Sequence, residues 1–218
     1  MEERFPGVFV IEGKIATQSF APGTKVYGER VKKIDSTEYR LWEPYRSKLS
    51  AAILKGIKNM PIKPGNRVLY LGAASGTTAS HVSDLVGEKG LVYCVEFAPR
   101  PVRDLIAVCE ARPNMLPILA DARKTESYAK DVGKVDVVYC DIADPQEIAI
   151  FIDNCTQFLK PKGWGLIAVK SRSIDVTKQP REVYQAAGRQ LEKSFSVEDF
   201  VTLEPFEKDH CFFVVRVK

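Results

Sequence analysis

The chain has 218 residues, of which 45% are hydrophobic, and it carries a formal net charge of +4. A chain of this length and composition can bury a substantial core, which excludes a disordered protein and predicts one large domain or one domain with a small appendage. The charge is mildly basic but far from the dense cationic runs of a nucleic-acid-binding tail, so charge alone does not identify the partner.

The five cysteines are an odd number and contain no Cys-x-x-Cys pair. Most of them lie inside apolar runs such as "LVYCVE" and "VVYCDI", which indicates buried free thiols in a reducing compartment. No stretch reaches the roughly 18 consecutive apolar residues that a membrane span requires. We therefore expect a soluble cytoplasmic protein that binds neither a metal nor a membrane. The cysteines are Cys94, Cys109, Cys140, Cys155 and Cys211.

Residues 1–43 have the pattern of a small antiparallel β-domain. The β-rich stretches "VFVIEG", "KIATQSF", "KVYGERV" and "EYRLW" alternate with turn residues such as "APG" at 21–23. From residue 44 the pattern becomes helical, with Leu49, Ile53 and Ile57 on one stripe, until "PIKPG" at 61–65 ends it. We place a domain boundary between residues 43 and 44.

Residues 44–218 alternate strands with helices. The apolar runs "RVLYLG", "LVYCVE", "MLPILA", "VDVVYCD" and "WGLIAVK" are each followed by a helical segment, including "TESYAKDV" after the third. This alternation predicts an α/β domain with a mostly parallel sheet and helices on both faces. The last two runs, "VEDFVTLEP" and "HCFFVVRV", follow each other without a helix and predict a closing antiparallel hairpin.

The loop after the first of these strands, in "VLYLGAASGTTASHVSDLVG" (68–87), is built from small residues. Gly72, Ala74 and Gly76 would let a ligand approach the backbone closely at the carboxyl edge of the sheet, where ligands bind in such folds. The spacing is only loosely that of a nucleotide-binding loop, and an ordinary tight turn between strand and helix is the alternative.

Acidic residues end the next three strands. Glu96 ends the second strand, where a carboxylate can accept both ribose hydroxyls of an adenosine. Asp121 ends the third, within reach of an adenine amino group, and Asp141 ends the fourth. The alternative is that these acids only cap the following helices. Because the loop lacks a regular pyrophosphate fingerprint, one adenosine with a methionine tail fits better than a dinucleotide.

Several motifs together resemble the fibrillarin family, in its archaeal type. They are "WEPYRSKLSAAIL", "VLYLGAASGTTASHVSDLVG", "GLVYCVEF", "ILADAR", "VDVVYCDIADP" and "LEPFEKDH", and the resemblance runs almost from end to end. It implies a Rossmann-like, S-adenosylmethionine-dependent methyltransferase fold behind a small N-terminal β-domain. It also implies an enzyme that methylates the ribose 2′-hydroxyl of rRNA and tRNA.

The resemblance also implies the site residues. The expected catalytic set is Lys48, Asp141, Lys170 and His210. Two positions depart from the family pattern, since an amide is expected at Asp144 and a cysteine at Ser173. With the small-residue loop included, the expected S-adenosyl-L-methionine site comprises Gly72, Ala74, Gly76, Thr77, Thr78, Glu96, Phe97, Asp121, Ala122, Asp141, Ile142, Ala143 and Asp144.

Physical chemistry suggests a role for each catalytic candidate. Lys170 is the expected general base, since partial burial and a neighbouring ammonium from Lys48 would lower its pKa. Asp141 would orient the lysine, and His210 would hydrogen-bond the ribose or the base. The alternatives are two solvated lysines and an exposed hairpin histidine. For His81 we expect only helix packing or hydrogen bonding to the loop.

No RNA-recognition module is visible, so target sequence must be read by other molecules. The resemblance implies a box C/D guide RNA paired to the target rRNA or tRNA, a Nop-type scaffold protein and a kink-turn-binding ribosomal-type protein. Three alternatives stay open. They are a methyltransferase for protein side chains or small molecules, a non-catalytic subunit that binds the cofactor only structurally, and a nicotinamide dehydrogenase.

Overall fold

The structure is a computed structural model that describes residues 1–218. Its first 41 residues form a five-stranded antiparallel sheet in the order β1-β2-β3-β5-β4. One short 3₁₀ helix, Pro44–Arg46, follows this N-terminal sheet. The strands are β1 (Glu2–Phe5), β2 (Val8–Ile11), β3 (Lys14–Gln18), β4 (Val31–Ile34) and β5 (Thr37–Leu41).

The remaining chain forms a seven-stranded sheet in the order β11-β12-β10-β9-β6-β7-β8. Strand β12 is antiparallel to both of its neighbours, and all the other pairs are parallel, so the predicted fold class and its closing hairpin are confirmed. Its strands are β6 (Arg67–Leu71), β7 (Leu91–Glu96), β8 (Met115–Leu119), β9 (Val135–Cys140), β10 (Leu159–Lys170), β11 (Phe195–Thr202) and β12 (His210–Val217).

Six helices accompany the large sheet. The longest have 12 residues, and none combines the length and apolar character that crossing a membrane requires. They are α1 (Lys48–Leu54), α2 (Thr77–Val86), α3 (Pro99–Glu110), α4 (Glu147–Phe158), α5 (Ser171–Ile174) and α6 (Pro180–Leu191).

The large sheet is buried on both faces, as its continuous apolar strands predict. Along β6, Val68 and Tyr70 pack into one core cluster with α1 and α2, whereas Leu69 and Leu71 pack into a second cluster with α4 and α6. This double covering leaves the carboxyl edge of the parallel strands as the open edge at which a site can form.

The N-terminal sheet packs on the same core. Val8, Ile15 and Trp42 belong to the cluster that contains the buried residues of α1 and α2. The two sheets therefore share apolar contacts, and the division of the chain between residues 43 and 44 stays a prediction.

Four charged side chains also join the two sheets; we call them the anchoring cluster, made of Glu29, Arg40, Asp84 and Arg112. Arg40 donates to Glu29 at 2.7 Å and to Asp84 at 2.8 Å. Arg112 donates to the second oxygen of Asp84 at 2.6 Å. The side chains of these three pairs are completely shielded from solvent. Two cations and two anions balance, as buried charges must to be tolerated.

His81 lies beside the anchoring cluster and packs as expected. Its ring stacks on Trp42 with centroids 4.7 Å apart. Its two nitrogens contact the hydroxyls of Thr17 and Tyr27, each at 2.8 Å. Burial lowers the pKa of His81 well below its ordinary value, so the ring is a neutral packing element.

Three of the predicted elements are wrong in extent. The stretch "KVYGERV" is no strand before Val31, because its backbone loops around Glu29, whose carboxylate accepts from the backbone N–H groups of Val26 and Tyr27. Helix α1 ends at Leu54, because Gly56 takes a left-handed φ of 93° that closes the last turn.

The segment "TESYAKDV" forms only the 3₁₀ turn Thr125–Ser127 instead of a helix. Its Tyr128 side chain turns inward and is completely buried, and the carbonyl of Tyr128 accepts from Asp131 and Val132 in an isolated turn. The segment is therefore a short turn that buries the Tyr128 ring, and the helix that the sequence predicts is not formed.

Candidate active site

A cavity of about 350 Å³ opens at the carboxyl ends of the parallel strands. It contains all three strand-end acids, which the topology brings to one edge. The cavity also includes a basic side chain, Arg123, that the sequence analysis did not single out. Ten of the thirteen expected cofactor residues line it: Gly72, Ala74, Glu96, Phe97, Asp121, Ala122, Asp141, Ile142, Ala143 and Asp144.

The small-residue loop lies directly against the fourth strand end. Gly72 has a φ of 80°, and a Cβ atom added there would lie 2.4 Å from the carbonyl oxygen of Asp141. Ala74 is also left-handed, with a φ of 47°. A side chain at position 72 would therefore force the loop away from Asp141, which explains why the sequence places glycine there.

The carboxylate of Glu96 is fixed by two backbone groups. One oxygen accepts from the N–H of Ala74 at 2.9 Å, and the other accepts from the N–H of Ala98 at 2.8 Å. Ala98 directly precedes α3, so Glu96 does serve the start of that helix as well as the loop. Phe97 follows with 66% of its surface exposed, which leaves an apolar ring at the rim of the cavity.

Asp121 and Asp144 are connected by Arg123. The guanidinium donates to Asp121 at 2.8–3.0 Å and lies 3.9 Å from Asp144. The hydrogen bonds from Arg123 hold the pKa of Asp121 below its ordinary value. Asp144, which departs from the family pattern, thus has the cation of Arg123 nearby. The sequence signal for Arg123 is its position two residues after Asp121.

Three expected cofactor residues do not line the cavity. Gly76 precedes α2, and Thr77 and Thr78 are its first two residues. The hydroxyl of Thr78 donates to that of Ser47 at 3.0 Å, and Ser47 is the N-cap residue of α1. These residues therefore connect the small-residue loop to the helix that carries Lys48, and their part in cofactor binding stays a prediction.

Lys48 and Asp141 form an ion pair next to the cavity. The ammonium of Lys48 lies 2.9 and 3.1 Å from the two carboxylate oxygens of Asp141, and each side chain is about one-fifth exposed. Burial alone would favour the neutral amine, but the Asp141 carboxylate outweighs it and raises the pKa of Lys48. Lys48 is consequently a fixed ammonium rather than a base, and the alternative of a solvated helix lysine is wrong.

His210 is buried, with 7% of its surface exposed, so the alternative of an exposed hairpin residue is also wrong. Its Nδ1 lies 2.7 Å from the carbonyl oxygen of Lys208. Burial, together with the nearby Lys48 ammonium, lowers the pKa of His210. Since a carbonyl can only accept, the neutral ring carries its proton on Nδ1 and keeps a free lone pair on Nε2.

Lys170 stands opposite His210 in the antiparallel register of β10 and β12. The expected partial burial of Lys170 is wrong, because its side chain ends the strand in solvent and is exposed. The argument that burial prepares this lysine to act as a general base is therefore lost, although the residue lies at the expected edge of the site.

Glu147 is a buried acid that the sequence analysis missed. It is 1% exposed at the start of α4, one of its oxygens accepts from the backbone N–H of Lys170 at 3.1 Å, and the other has no partner. Burial raises the pKa of Glu147 to about 8. The apolar residues Ile150 and Phe151, three and four positions later, could have placed it on the buried face of the helix.

The sequence matches the family model described as fibrillarin over residues 1–218. The chain belongs to the fibrillarin family. It is 56% identical to the fibrillarin-like rRNA/tRNA 2′-O-methyltransferase of Thermococcus gammatolerans, over 99% of this chain and 97% of that protein. The family resemblance drawn from the sequence motifs is thus confirmed.

Solved fibrillarin structures share the fold. The Aeropyrum pernix fibrillarin, crystallised with natively bound S-adenosyl-L-methionine, matches with a TM-score of 0.90 and 47% identity, covering 98% of this chain and 96% of that one. A fibrillarin in complex with Nop5p matches with a TM-score of 0.91 and 39% identity over 100% of both chains.

Proposed function

We propose that this fibrillarin transfers a methyl group from S-adenosylmethionine to the ribose 2′-hydroxyl of rRNA and tRNA, the reaction for which its relatives are named. The observation that carries the proposal is the Lys48–Asp141 ion pair, which lies with His210 beside a cavity lined by strand-end acids. Asp141 lines the proposed cofactor cavity and also pairs with Lys48, so it connects the cofactor site with the proposed catalytic residues.

The residues at the cavity fit the cofactor. The Glu96 carboxylate, held by two backbone N–H groups, would accept the ribose hydroxyls, and Asp121 would accept from the adenine amino group. Gly72 packs directly on the backbone carbonyl of Asp141, so we infer that the methionine part runs along the loop backbone, which small residues let a ligand approach closely. When bound, S-adenosylmethionine supplies an activated methyl group on a sulfonium centre.

The chain must then orient a hydroxyl and accept one proton. The Lys48 ammonium, held by Asp141, can stabilise negative charge that develops on the ribose oxygen. His210, neutral and with Nε2 free, can accept the hydroxyl proton. We therefore assign proton acceptance to His210 and leave Lys170, exposed beside it, to approach the RNA backbone.

The proposal includes a guided particle. A Nop-type scaffold is proposed because a fibrillarin of the same fold forms a complex with Nop5p. A box C/D guide RNA and a kink-turn-binding ribosomal-type protein complete the assembly. Since the chain carries only a modest charge of +4, base pairing by the guide would select the target, and an A-form guide–target helix exposes its 2′-hydroxyls in a shallow groove.

The test is methyl transfer from labelled S-adenosylmethionine to a guide-paired RNA in the assembled particle. The matched control is the same target with a 2′-deoxy sugar at the nucleotide that the guide selects. We expect label in the ribose target and none in the deoxy target. Equal labelling of both would overturn the ribose reaction, and tight cofactor binding without any transfer would favour the non-catalytic subunit.

A further inference from the structure

Glu147 is a carboxyl group that the fold buries at the start of α4, with 1% of its surface exposed. One of its oxygens accepts from the backbone N–H of Lys170 at 3.1 Å, and the other has no hydrogen-bond partner. No ion pair of the chain includes it. A buried carboxyl with neither a cation nor a full set of donors favours its neutral form, because nothing offsets the charge of the carboxylate.

The charges around Glu147 act in the same direction. Burial raises its pKa to about 8, the Lys170 N–H opposes this rise, and the carboxylates of Asp141 and Asp144 add to it. The ammonium of Lys48 also opposes the rise, but it is already held by Asp141. Glu147 is therefore neutral at pH 7 and ionises at mildly alkaline pH.

The strands that pack on Glu147 supply no compensating charge. Cys140 ends β9 and Cys211 lies on β12, and burial raises the pKa of both thiols, so they are neutral. On β10, Lys170 offers Glu147 its backbone N–H, and the Lys170 side chain is exposed. Ionisation of Glu147 therefore leaves one negative charge without a partner.

Glu147 is linked to both of the segments that carry the proposed chemistry. Its hydrogen bond holds Lys170, the last residue of β10, which pairs with His210 across the antiparallel ladder. Its charge interacts with those of Lys48 and Asp141. Because Glu147 is almost completely buried and does not line the cofactor cavity, its influence on a reaction passes through these neighbours.

The protonation state of Glu147 sets the net charge beside the reacting hydroxyl. The charges of Lys48 and Asp141 cancel, and His210 is neutral, so this part of the site has no net charge while Glu147 keeps its proton. An ionised Glu147 adds a negative charge in a region where charges act more strongly than in water. That charge opposes the negative charge that develops on the ribose oxygen and that Lys48 is proposed to stabilise.

We propose that Glu147 is a positioning residue of the methyl transfer and that it must keep its proton for the chemical step to run at full rate. The inference rests on the proposed ribose methylation. The neutral carboxyl holds the end of β10 beside His210 and leaves the Lys48 ammonium to the reacting oxygen. Loss of the proton slows the chemical step without weakening the binding of RNA or cofactor.

The experiment measures the single-turnover rate of methyl transfer in the assembled particle from about pH 6.5 to 9, at saturating cofactor and RNA. The wild type is compared with Glu147→Gln, which keeps the shape and an acceptor for the Lys170 N–H but cannot ionise. Glu198→Gln, which changes an exposed glutamate on β11, is the matched control. Cofactor affinity, particle assembly and the folded fraction are measured at each pH.

The wild type and Glu198→Gln should lose rate roughly tenfold as the pH rises, with a midpoint near the Glu147 pKa of about 8. Glu147→Gln should match the wild type at pH 7 and keep its rate up to pH 9. Lys48 does not account for such a decrease, because the Asp141 carboxylate outweighs burial and raises the pKa of Lys48.

A second measurement needs no turnover. The infrared band of a protonated carboxyl should be present in the wild type at pH 7, absent from Glu147→Gln, and lost from the wild type over the pH range in which the rate falls. A wild-type spectrum without this band at pH 7 would show that Glu147 is ionised, which would overturn the proposal.

An alkaline decrease that persists in Glu147→Gln would also overturn the proposal, as would a wild-type rate that stays constant to pH 9. The same holds for a decrease that follows loss of cofactor or of particle assembly, and for a Glu147→Gln variant that is markedly slower than the wild type at pH 7. Absence of transfer by the wild type at every pH would instead overturn the proposed function, and the infrared band would still report the proton on Glu147.

Discussion

The molecule has two groups of charged side chains that pack between elements far apart in the chain. One is the anchoring cluster, and the other, which we call the catalytic cluster, consists of Lys48, Asp141, Glu147 and His210. In the anchoring cluster, Arg40 and Asp84 are completely shielded, and Arg40 has three hydrogen-bonding partners and Asp84 four. Two nitrogens of Arg112, Nε and Nη2, have no partner. In the catalytic cluster, Lys48 and Asp141 remain about one-fifth exposed, and a neighbouring oxygen of Glu147 has no partner.

The difference separates charges that hold the fold from charges that are kept for a ligand. Buried ions are tolerated only when they are paired, so a closed and balanced group such as Arg40 with Glu29 and Asp84 joins the two sheets. A half-open group with free acceptors costs stability and is retained where a bound molecule completes its hydrogen bonds. We therefore assign the proposed chemistry to the catalytic cluster.

The largest expected effect is on stability. Arg40→Met removes one cation from the anchoring cluster and leaves Glu29 buried without its ion-pair partner. Breaking a buried pair in this way costs about 3–5 kcal/mol, and we expect that loss in the free energy of unfolding measured by denaturant titration. A loss below about 1 kcal/mol would show that the cluster does not hold the sheets together.

Lys48→Ala should lower the rate of methyl transfer more than it lowers stability. Removing the ammonium that stabilises charge on the ribose oxygen should lower the single-turnover rate on the order of 10²- to 10³-fold. Because each side chain of the ion pair keeps about one-fifth of its surface in water, the loss in free energy of unfolding should stay below the roughly 3–5 kcal/mol expected for Arg40→Met. A variant that keeps the wild-type rate with normal cofactor binding would contradict the role given to Lys48.

The third effect is a pH dependence of stability. The pKa of Glu147 is raised to about 8 in the folded chain, from an ordinary value near 4.5. The folded state therefore binds more protons than the unfolded state between these values. Its contribution is fully present below about pH 4.5 and is lost as the pH rises to about 8.

Glu147→Gln should remove this slope, which is at most about 1.4 kcal/mol per pH unit. Unfolding free energies measured from pH 5 to 9 should show the variant gaining on the wild type as the pH rises. The matched control is Glu198→Gln, which changes an exposed glutamate on β11 and should leave the slope intact. An identical slope in wild type and Glu147→Gln would exclude Glu147 as the titrating group.

The cofactor edge is predictable from the sequence because its residues follow a local rule. Apolar runs predict parallel strands, parallel strands end at one edge, and Glu96, Asp121 and Asp141 are the residues at those ends. The sequence also places Gly72 at this edge, as a residue that lets a ligand approach, whereas its packing against the carbonyl of Asp141 is visible only in the structure. Each of these inferences needs only the order of elements along the chain.

The rest of the site depends on tertiary packing. Ile150 and Phe151 put Glu147 on the apolar face of α4, but glutamate is a residue type that is ordinarily exposed, and the extent of its burial follows only from the packing of α4 on the sheet. Because Lys170 ends an apolar strand, the sequence predicts partial burial, yet its side chain is exposed. Arg40 lies between two apolar residues in a strand, which is the pattern of an exposed position. Its burial cannot be predicted locally, because its partner Asp84 lies 44 residues away in the chain.

The most direct test makes one chemical change in each cluster. Asp84→Asn and Asp141→Asn both replace a carboxylate with an amide, and each is measured for unfolding free energy and for single-turnover methyl transfer, at a temperature at which both variants are folded. We predict that Asp84→Asn loses stability and keeps its rate, and that Asp141→Asn keeps its stability and loses its rate. The reverse pattern, or equal loss of rate in both variants, would contradict the division between anchoring and chemistry.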